Sequence, residues 1–168
     1  RINFKGNQKT ADNVLRREMR QLEGSLASNE KIDLSKVRLE RTGFFKTVSI
    51  DAVRVPNSND QIDLNATVEE QPSGTSSISV GYSQSGGITF QFGLNQTNFF
   101  GTGNQVGLDI SRSETLNNYN INVLDPYFTP DGISRGFNFY LRDTKLYNSL
   151  SVQRYYSDAQ GASMTFGY

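Results

Sequence analysis

The sequence predicts an α+β module of order β-α-α-β-β, followed by antiparallel transmembrane β-barrel strands: a partial barrel of about six strands. Three observations lead there. Residues 1–72 hold 12 Lys/Arg, 11 Asp/Glu, 3 Gly and 3 aromatics, whereas residues 73–168 hold 5, 6, 12 and 16. Halves this different face different solvents. The second half alternates apolar and small polar residues with a period of two. It also offers no long helical pattern that could cover the apolar face such strands create. The boundary lies in Glu69-Glu70-Gln71-Pro72-Ser73-Gly74, a polar stretch with Pro and Gly where pairing can stop. The domains are therefore 1–72 and 73–168.

Composition narrows the function classes. The 168 residues carry 17 Lys+Arg and 17 Asp+Glu, with no His, Cys or Trp. Zero net charge provides no field to recruit nucleic acid, and no basic–aromatic interleaving is present. Without Cys or His, the usual nucleophile, general base and zinc ligands are missing, so an enzyme, a metal site or a cofactor is not expected. Only 35% of residues are AVILMFWYC, short of the roughly 45–50% (Gly included) of a globular chain. No run of about 18 apolar residues marks a transmembrane helix, and no charged start leads into a signal-peptide core. The chain reads as a segment of something longer.

In the first half, Ile2-Asn3-Phe4 alternates and stops at Gly6-Asn7. Ala11, Val14, Leu15, Met19 and Leu22 then fall on one helical face, with Thr10 as expected N-cap and Gly24 past the end. Ile32, Ser35, Leu39 and Thr42 mark a second helix, capped by Ser28 or Asn29 and ended at Gly43. Val48, Ile50 and Ala52 alternate, a turn follows at Pro56–Asp60, and Ile62, Leu64, Ala66 and Val68 alternate again. Two helices on one face of three strands bury one apolar layer. The Glu69-Glu70 pair reads as solvated linker.

The second half contains six alternating runs, centred on Val80, Phe92, Leu108, Ile121, Phe139 and Met164. Each is near the 9–11 residues a tilted strand needs to cross a bilayer. Period two places Ile78, Val80, Ile88, Phe90, Phe92, Leu94, Val106, Leu108, Ile110, Phe137, Phe139 and Phe166 on one outward, lipid-facing side. In an isolated fragment this face calls for cover by detergent or a second sheet. Phe99-Phe100 and Tyr127-Phe128 cluster at strand ends, as an interfacial girdle does. Gly81, Gly93 and Gly107 fall on the polar face as small-residue filling or as points of bending. Asp109 and Arg142 share that face, as solvated lumen charges or as the lining of a permeation path. Compact turns at Phe99–Gly103 and Phe128–Ser134, against connections at Gln84–Gly87, Glu114–Asn118 and a long one at Lys145–Gln160, suggest the two-ended asymmetry of outer-membrane barrels. The soluble module would then enter from the short-turn, periplasmic side.

These residues resemble a known family. Phe4-Lys5-Gly6-Asn7, Leu15 through Gly24, and Gly43-Phe44-Phe45-Lys46-Thr47-Val48 are similar to a POTRA domain. Val80-Gly81-Tyr82, Asn98-Phe99-Phe100-Gly101-Thr102-Gly103 and Asp125-Pro126-Tyr127-Phe128-Thr129-Pro130-Asp131-Gly132 look like the start of an Omp85 barrel. The ordered set matches the last POTRA domain and first barrel strands of the outer-membrane assembly factors of that family. The resemblance implies a sixteen-stranded barrel of the bacterial outer membrane that folds and inserts nascent β-barrel proteins, together with Bam-complex lipoproteins of the BamD type. It implies that the first barrel strand is an edge that pairs with an incoming strand. Here that strand is Ser76, Ser77, Ile78, Ser79, Val80, Gly81, Tyr82 and Ser83, a segment with no charge and no Pro to block pairing. Glu23 matches the family's lipoprotein-docking acid, at what the pattern reads as the end of the first helix. The remaining POTRA domains, the later strands and the family's long loop that packs inside the barrel do not occur within these 168 residues. Two other readings stand beside this one: an Omp85-type polypeptide translocation or secretion transporter, and a structural or adhesive β-protein with a soluble module.

Overall fold

A computed structural model describes residues 1–56, 58, 60–84, 87–147 and 154–168. The chain divides into two compact units, Arg1–Ser73 with Phe100–Gly103, and Gly74–Phe99 with Asn104–Tyr168.

The first unit contains β1 (Ile2–Lys5), α1 (Asp12–Glu18), α2 (Asn29–Arg41), β2 (Phe45–Arg54) and β3 (Ile62–Glu70). Its sheet has the order β1-β3-β2, with β1 parallel and β2 antiparallel to β3. Ile2, Val14, Leu15, Leu39, Phe45, Val48, Leu64 and Val68 are buried together, so both helices and all three strands contribute to one apolar layer. Gly6 has a φ of 93°, and a Cβ there would collide with the Val68 carbonyl of β3, so glycine is required on both counts. Gly101 has the same constraint: φ is 74°, a Cβ would strike the Lys9 carbonyl, and its own carbonyl accepts the Ala11 N–H at 2.9 Å.

The element order agrees with the sequence pattern, but α1 is shorter than its apolar period. It stops at Glu18, so Leu22 lies outside it and is 68% exposed. The residues are good helix formers, and local propensity does not end the helix. A distant acceptor does: the buried Ser35 Oγ of α2 takes the Arg20 N–H at 2.8 Å and the Gln21 N–H at 3.3 Å. The N-cap is Ala11 rather than Thr10, with no side-chain cap. Thr10 is drawn away because its N–H donates to Glu70 Oε1 at 2.6 Å. α2 begins after Ser28, as expected, and Gly43 follows it with a φ of 71°.

The second unit is one antiparallel sheet, in sequence order, of β4 (Gly74–Ser83), β5 (Gly87–Phe99), β6 (Asn104–Arg112), β7 (Leu116–Asp125), β8 (Ser134–Tyr147) and β9 (Arg154–Gly167). Among the described residues it does not close, and β4 and β9 are its edges. Two expected loops are corrected. Asn117 and Asn118 belong to β7, leaving Ser113–Thr115 as the turn. Lys145–Tyr147 and Arg154–Gln160 are strand, with Lys145 opposite Tyr156; residues 148–153 of that expected loop, and 85 and 86 of another, lie outside the described residues. The strict apolar alternation breaks off in these extensions, and backbone pairing needs none. The expected loop asymmetry consequently disappears. The three-residue turn Ser113–Thr115 is shorter than either Phe100–Gly103 or Pro126–Ile133 at the other end.

Candidate strand-pairing edge and docking loop

The register of the second sheet defines its faces. Ile78 stands opposite Phe92, which stands opposite Ile110; Val80 faces Phe90, and Leu94 faces Leu108. Val106 continues to Val123 and Phe137, and Leu108 to Ile121 and Phe139. Directly opposed residues share a face, so these residues form one continuous apolar surface with Ile88 opposite Tyr82. Much of it meets no protein atoms: Ile78 is 78%, Val80 64% and Phe90 56% exposed. The other face carries Ser79 opposite Gln91, Gly107 opposite Asn122, and Asn122 opposite Asn138.

On that polar face the glycines differ. A Cβ on Gly93 would press on Ser77 Oγ, and one on Gly107 would collide with the Asn122 side chain, whereas Gly81 has nothing nearby. Gly93 and Gly107 therefore make room for cross-strand neighbours. Asp109 and Arg142 line one groove with Asn118, Asn120 and Tyr140, and Arg142 Nε reaches Asn118 Oδ1 at 3.5 Å. At the sheet end, Arg135 sits 3.9 Å from the centre of the Phe128 ring and 5.2 Å from that of Phe137, and Phe128 lies 6.3 Å from Phe166. This aromatic cluster lies beside the Pro126–Ile133 connection.

β4 pairs on one side only, with β5 from Gly74↔Gln96 to Ser83↔Gly87. Every residue of it is exposed. Its other side presents alternate backbone N–H and C=O groups with no lysine, proline or bulge to block them. The candidate site is thus an edge strand with Ile78, Val80 and Tyr82 on one face and Ser77, Ser79 and Gly81 on the other.

Glu23 does not end a helix; it lies in the loop between α1 and α2. Its carboxylate is held below the ordinary range first by the Ile2 N–H, which donates to Oε1 at 2.6 Å, and then by the Arg16 guanidinium. The loop owes its shape to Gln21, a buried residue not singled out in the sequence. Gln21 Oε1 accepts the Ser28 N–H at 3.1 Å, while Nε2 donates to Ser25 Oγ at 2.8 Å, the Leu26 carbonyl at 3.1 Å and the Leu22 carbonyl at 3.3 Å. Leu26 is thereby turned outward, 93% exposed, beside a groove also lined by Ile2, Glu23 and Asp63.

Glu69 and Glu70 are the end of β3, not solvated linker. Glu69 approaches Lys46 Nζ at 3.6 Å. Glu70 accepts the Lys9 N–H at 3.0 Å as well as that of Thr10. Burial raises its pKa, but hydrogen bonds from the Thr10 side chain and from the Thr10, Lys9 and Gln8 amides outweigh this and leave it lowered. A depressed folded-state pKa stabilises the fold above the unfolded value and loses that contribution as pH falls through the folded value. Glu70→Gln should therefore lower the melting temperature of the first unit at neutral pH. The difference should vanish in acid below the ordinary carboxylate range, as followed by circular dichroism.

A family model described as "Surface antigen variable number repeat" (POTRA) matches residues 1–71, and one for the Omp85 superfamily domain matches residues 98–168. The chain is 38% identical over 167 residues to the outer membrane protein assembly factor BamA of Neisseria meningitidis serogroup B, covering 97% of this chain and 21% of that protein. The chain belongs to the Omp85 family. The BamA of Buchnera aphidicola is 31% identical over 168 residues, covering all of this chain and 27% of its own length. The crystal structure of BamA from Haemophilus ducreyi lacking POTRA domains 1–3 superposes with a TM-score of 0.83 at 40% identity, over 98% of this chain and 31% of that one. CdiB from Acinetobacter baumannii shares the fold at a TM-score of 0.61 and 18% identity. This Omp85 chain thus spans between a fifth and a third of the length of these relatives. Among the described residues it consists of a POTRA fold followed by an unclosed six-stranded antiparallel sheet.

Proposed function

We propose that the chain is the part of an outer-membrane β-barrel assembly factor in which a periplasmic POTRA domain, residues 1–72, leads into the first barrel strands, residues 73–168. In this reading β4 is the lateral edge that templates an incoming barrel strand. The observation that supports it most is the fully exposed, uncharged β4 beside a continuous apolar face. Main-chain bonds give sequence-tolerant affinity, and alternating side chains set the register. No covalent step is needed. The partners are the lipid bilayer against the apolar face, nascent outer-membrane β-barrel proteins at the β4 edge, and a BamD-type lipoprotein at Glu23.

The lipid contact is tested by two neighbouring substitutions in the full-length protein. Phe92 stands on the apolar face and Gln91 on the polar one. Phe92→Arg should cost about 2–4 kcal/mol of folding stability in lipid. Gln91→Arg should cost little, as measured by urea unfolding from liposomes. Equal costs would mean that Phe92 does not meet an apolar environment, and the lipid contact would fail.

A further inference from the structure

Arg135 places a guanidinium at the end of the apolar face of the second sheet. Asp125 stands opposite Arg135 and Arg135 opposite Phe166, and the next outward row is Val123, Phe137 and Met164. Along β8 the outward positions therefore run Arg135, Phe137, Phe139, Leu141, Asp143, so Arg135 marks one end of an apolar band. Its Cζ lies 3.9 Å from the centre of the Phe128 ring and 5.2 Å from that of Phe137. Phe128 is itself fixed by its N–H, which donates to the Ile133 carbonyl at 3.0 Å. Asp125 does not saturate the guanidinium: Oδ1 accepts the Tyr127 N–H at 3.1 Å, and Oδ2 lies 3.9 Å from Arg135 Nη2, beyond hydrogen-bond length. Among the described residues the guanidinium finds no hydrogen-bond acceptor, and its Nε is buried without one. The side chain is nonetheless 32% exposed.

We propose that Arg135 is a binding site for the phosphate group of a membrane phospholipid whose acyl chains lie along the apolar rows beside it, a role that rests on the reading of that face as lipid-facing. A guanidinium at the margin of an exposed apolar surface needs an acceptor that is itself anchored in apolar material. A phospholipid supplies both parts in one molecule. Stacking on Phe128 holds the guanidinium fork in one plane, which suits the two non-bridging oxygens of a phosphodiester. Long basic side chains at the edge of an apolar band reach the headgroup level in the same way. Met164 and Phe166, more than half exposed, leave the neighbouring rows open to the chains. A free phosphate would meet the guanidinium alone, against the repulsion of the adjacent Asp125 carboxylate. The lipid adds the apolar contact that offsets this repulsion.

The experiment uses the full-length protein in phosphatidylethanolamine bilayers, with the fluorophore bimane on a single cysteine introduced by Met164→Cys, which stands opposite Phe137 on the same face. Lipids brominated on their chains quench bimane only where those chains touch the protein near that position. Quenching in mixtures therefore gives the relative affinity of two lipids for this spot. With Arg135 intact, brominated phosphatidylethanolamine should be favoured over a brominated diacylglycerol of the same chains by roughly fivefold, the scale of one basic side chain at a lipid surface. Arg135→Gln should bring that ratio close to one. Arg135→Met, which keeps the stem beside Phe128 and Phe137, must do the same, and Arg135→Lys should retain part of the preference. An Arg135 that only braces the Pro126–Ile133 turn would leave the ratio unchanged in every variant, and that result overturns the proposal. So does a ratio of one with Arg135 intact, or a preference abolished by millimolar glycerol phosphate, which would make the site one for free phosphate. If no brominated lipid quenches the bimane, no acyl chain meets this face; the lipid-facing reading itself then fails, and this inference falls with it.

Discussion

Val80→Pro in the full-length protein should abolish barrel assembly while leaving the POTRA domain folded. Successive N–H groups along a strand point to opposite sides. Proline at Val80 therefore deletes a donor either toward β5 or toward the open edge, and proline at Ser79 deletes one on the other side. Running both variants separates two effects. One breaks the β4–β5 ladder, in which Val80 faces Phe90 and Ser79 faces Gln91. The other leaves that ladder bonded but removes a donor that an incoming strand needs. Ser77→Ala and Ser79→Ala should be mild, because their amides stay in place. The readout is conversion of a nascent barrel substrate to a protease-resistant membrane form in liposomes, without ATP. A secretion transporter would instead deliver an unfolded polypeptide into the vesicle lumen.

Glu23→Lys should weaken lipoprotein docking by about tenfold or more, since an attraction becomes a repulsion. Wild-type binding should fall as salt rises, and the variant should lose most of that dependence. Glu23 also accepts the Ile2 N–H, so charge reversal disturbs β1 as well. Glu23→Gln keeps an acceptor oxygen for Ile2 and removes only the charge. An intermediate loss for Gln, with unchanged thermal stability, assigns the effect to electrostatics. Unchanged binding in both variants would mean that Glu23 is a local cap for β1 and no more.

Much of the architecture was legible because the pleat imposes it. A period of two dictates which residues share a face, so alternation already put Ile78, Phe92, Ile110 and Phe139 on one side, while the residue each stands opposite is set by the turns. The features that were hidden depend on partners distant in sequence. The end of α1 is set by Ser35, fifteen positions beyond Arg20. Glu70 looked like linker because its donors, Lys9 and Thr10, lie about sixty residues earlier. Gln21 carries no signal beyond a polar residue within an apolar helical period, yet it organises the loop that presents Glu23. The outer parts of β8 and β9 were invisible for a different reason: where polar and apolar residues mix on each face, backbone pairing leaves no periodic imprint on side-chain type.

The central claim, that β4 acts through its backbone as a template, is tested most directly by cross-linking. Single cysteines at Ser77, Ser79 and Gly81, in a full-length protein carrying a stalled barrel substrate with cysteines along its last strand, should form disulfides in a fixed register. These three residues share one face of β4 and stand opposite Gly93, Gln91 and Thr89. An advance of two substrate positions for each step of two along β4 is the predicted result. Cross-links confined to the POTRA domain, with none at β4, would contradict it.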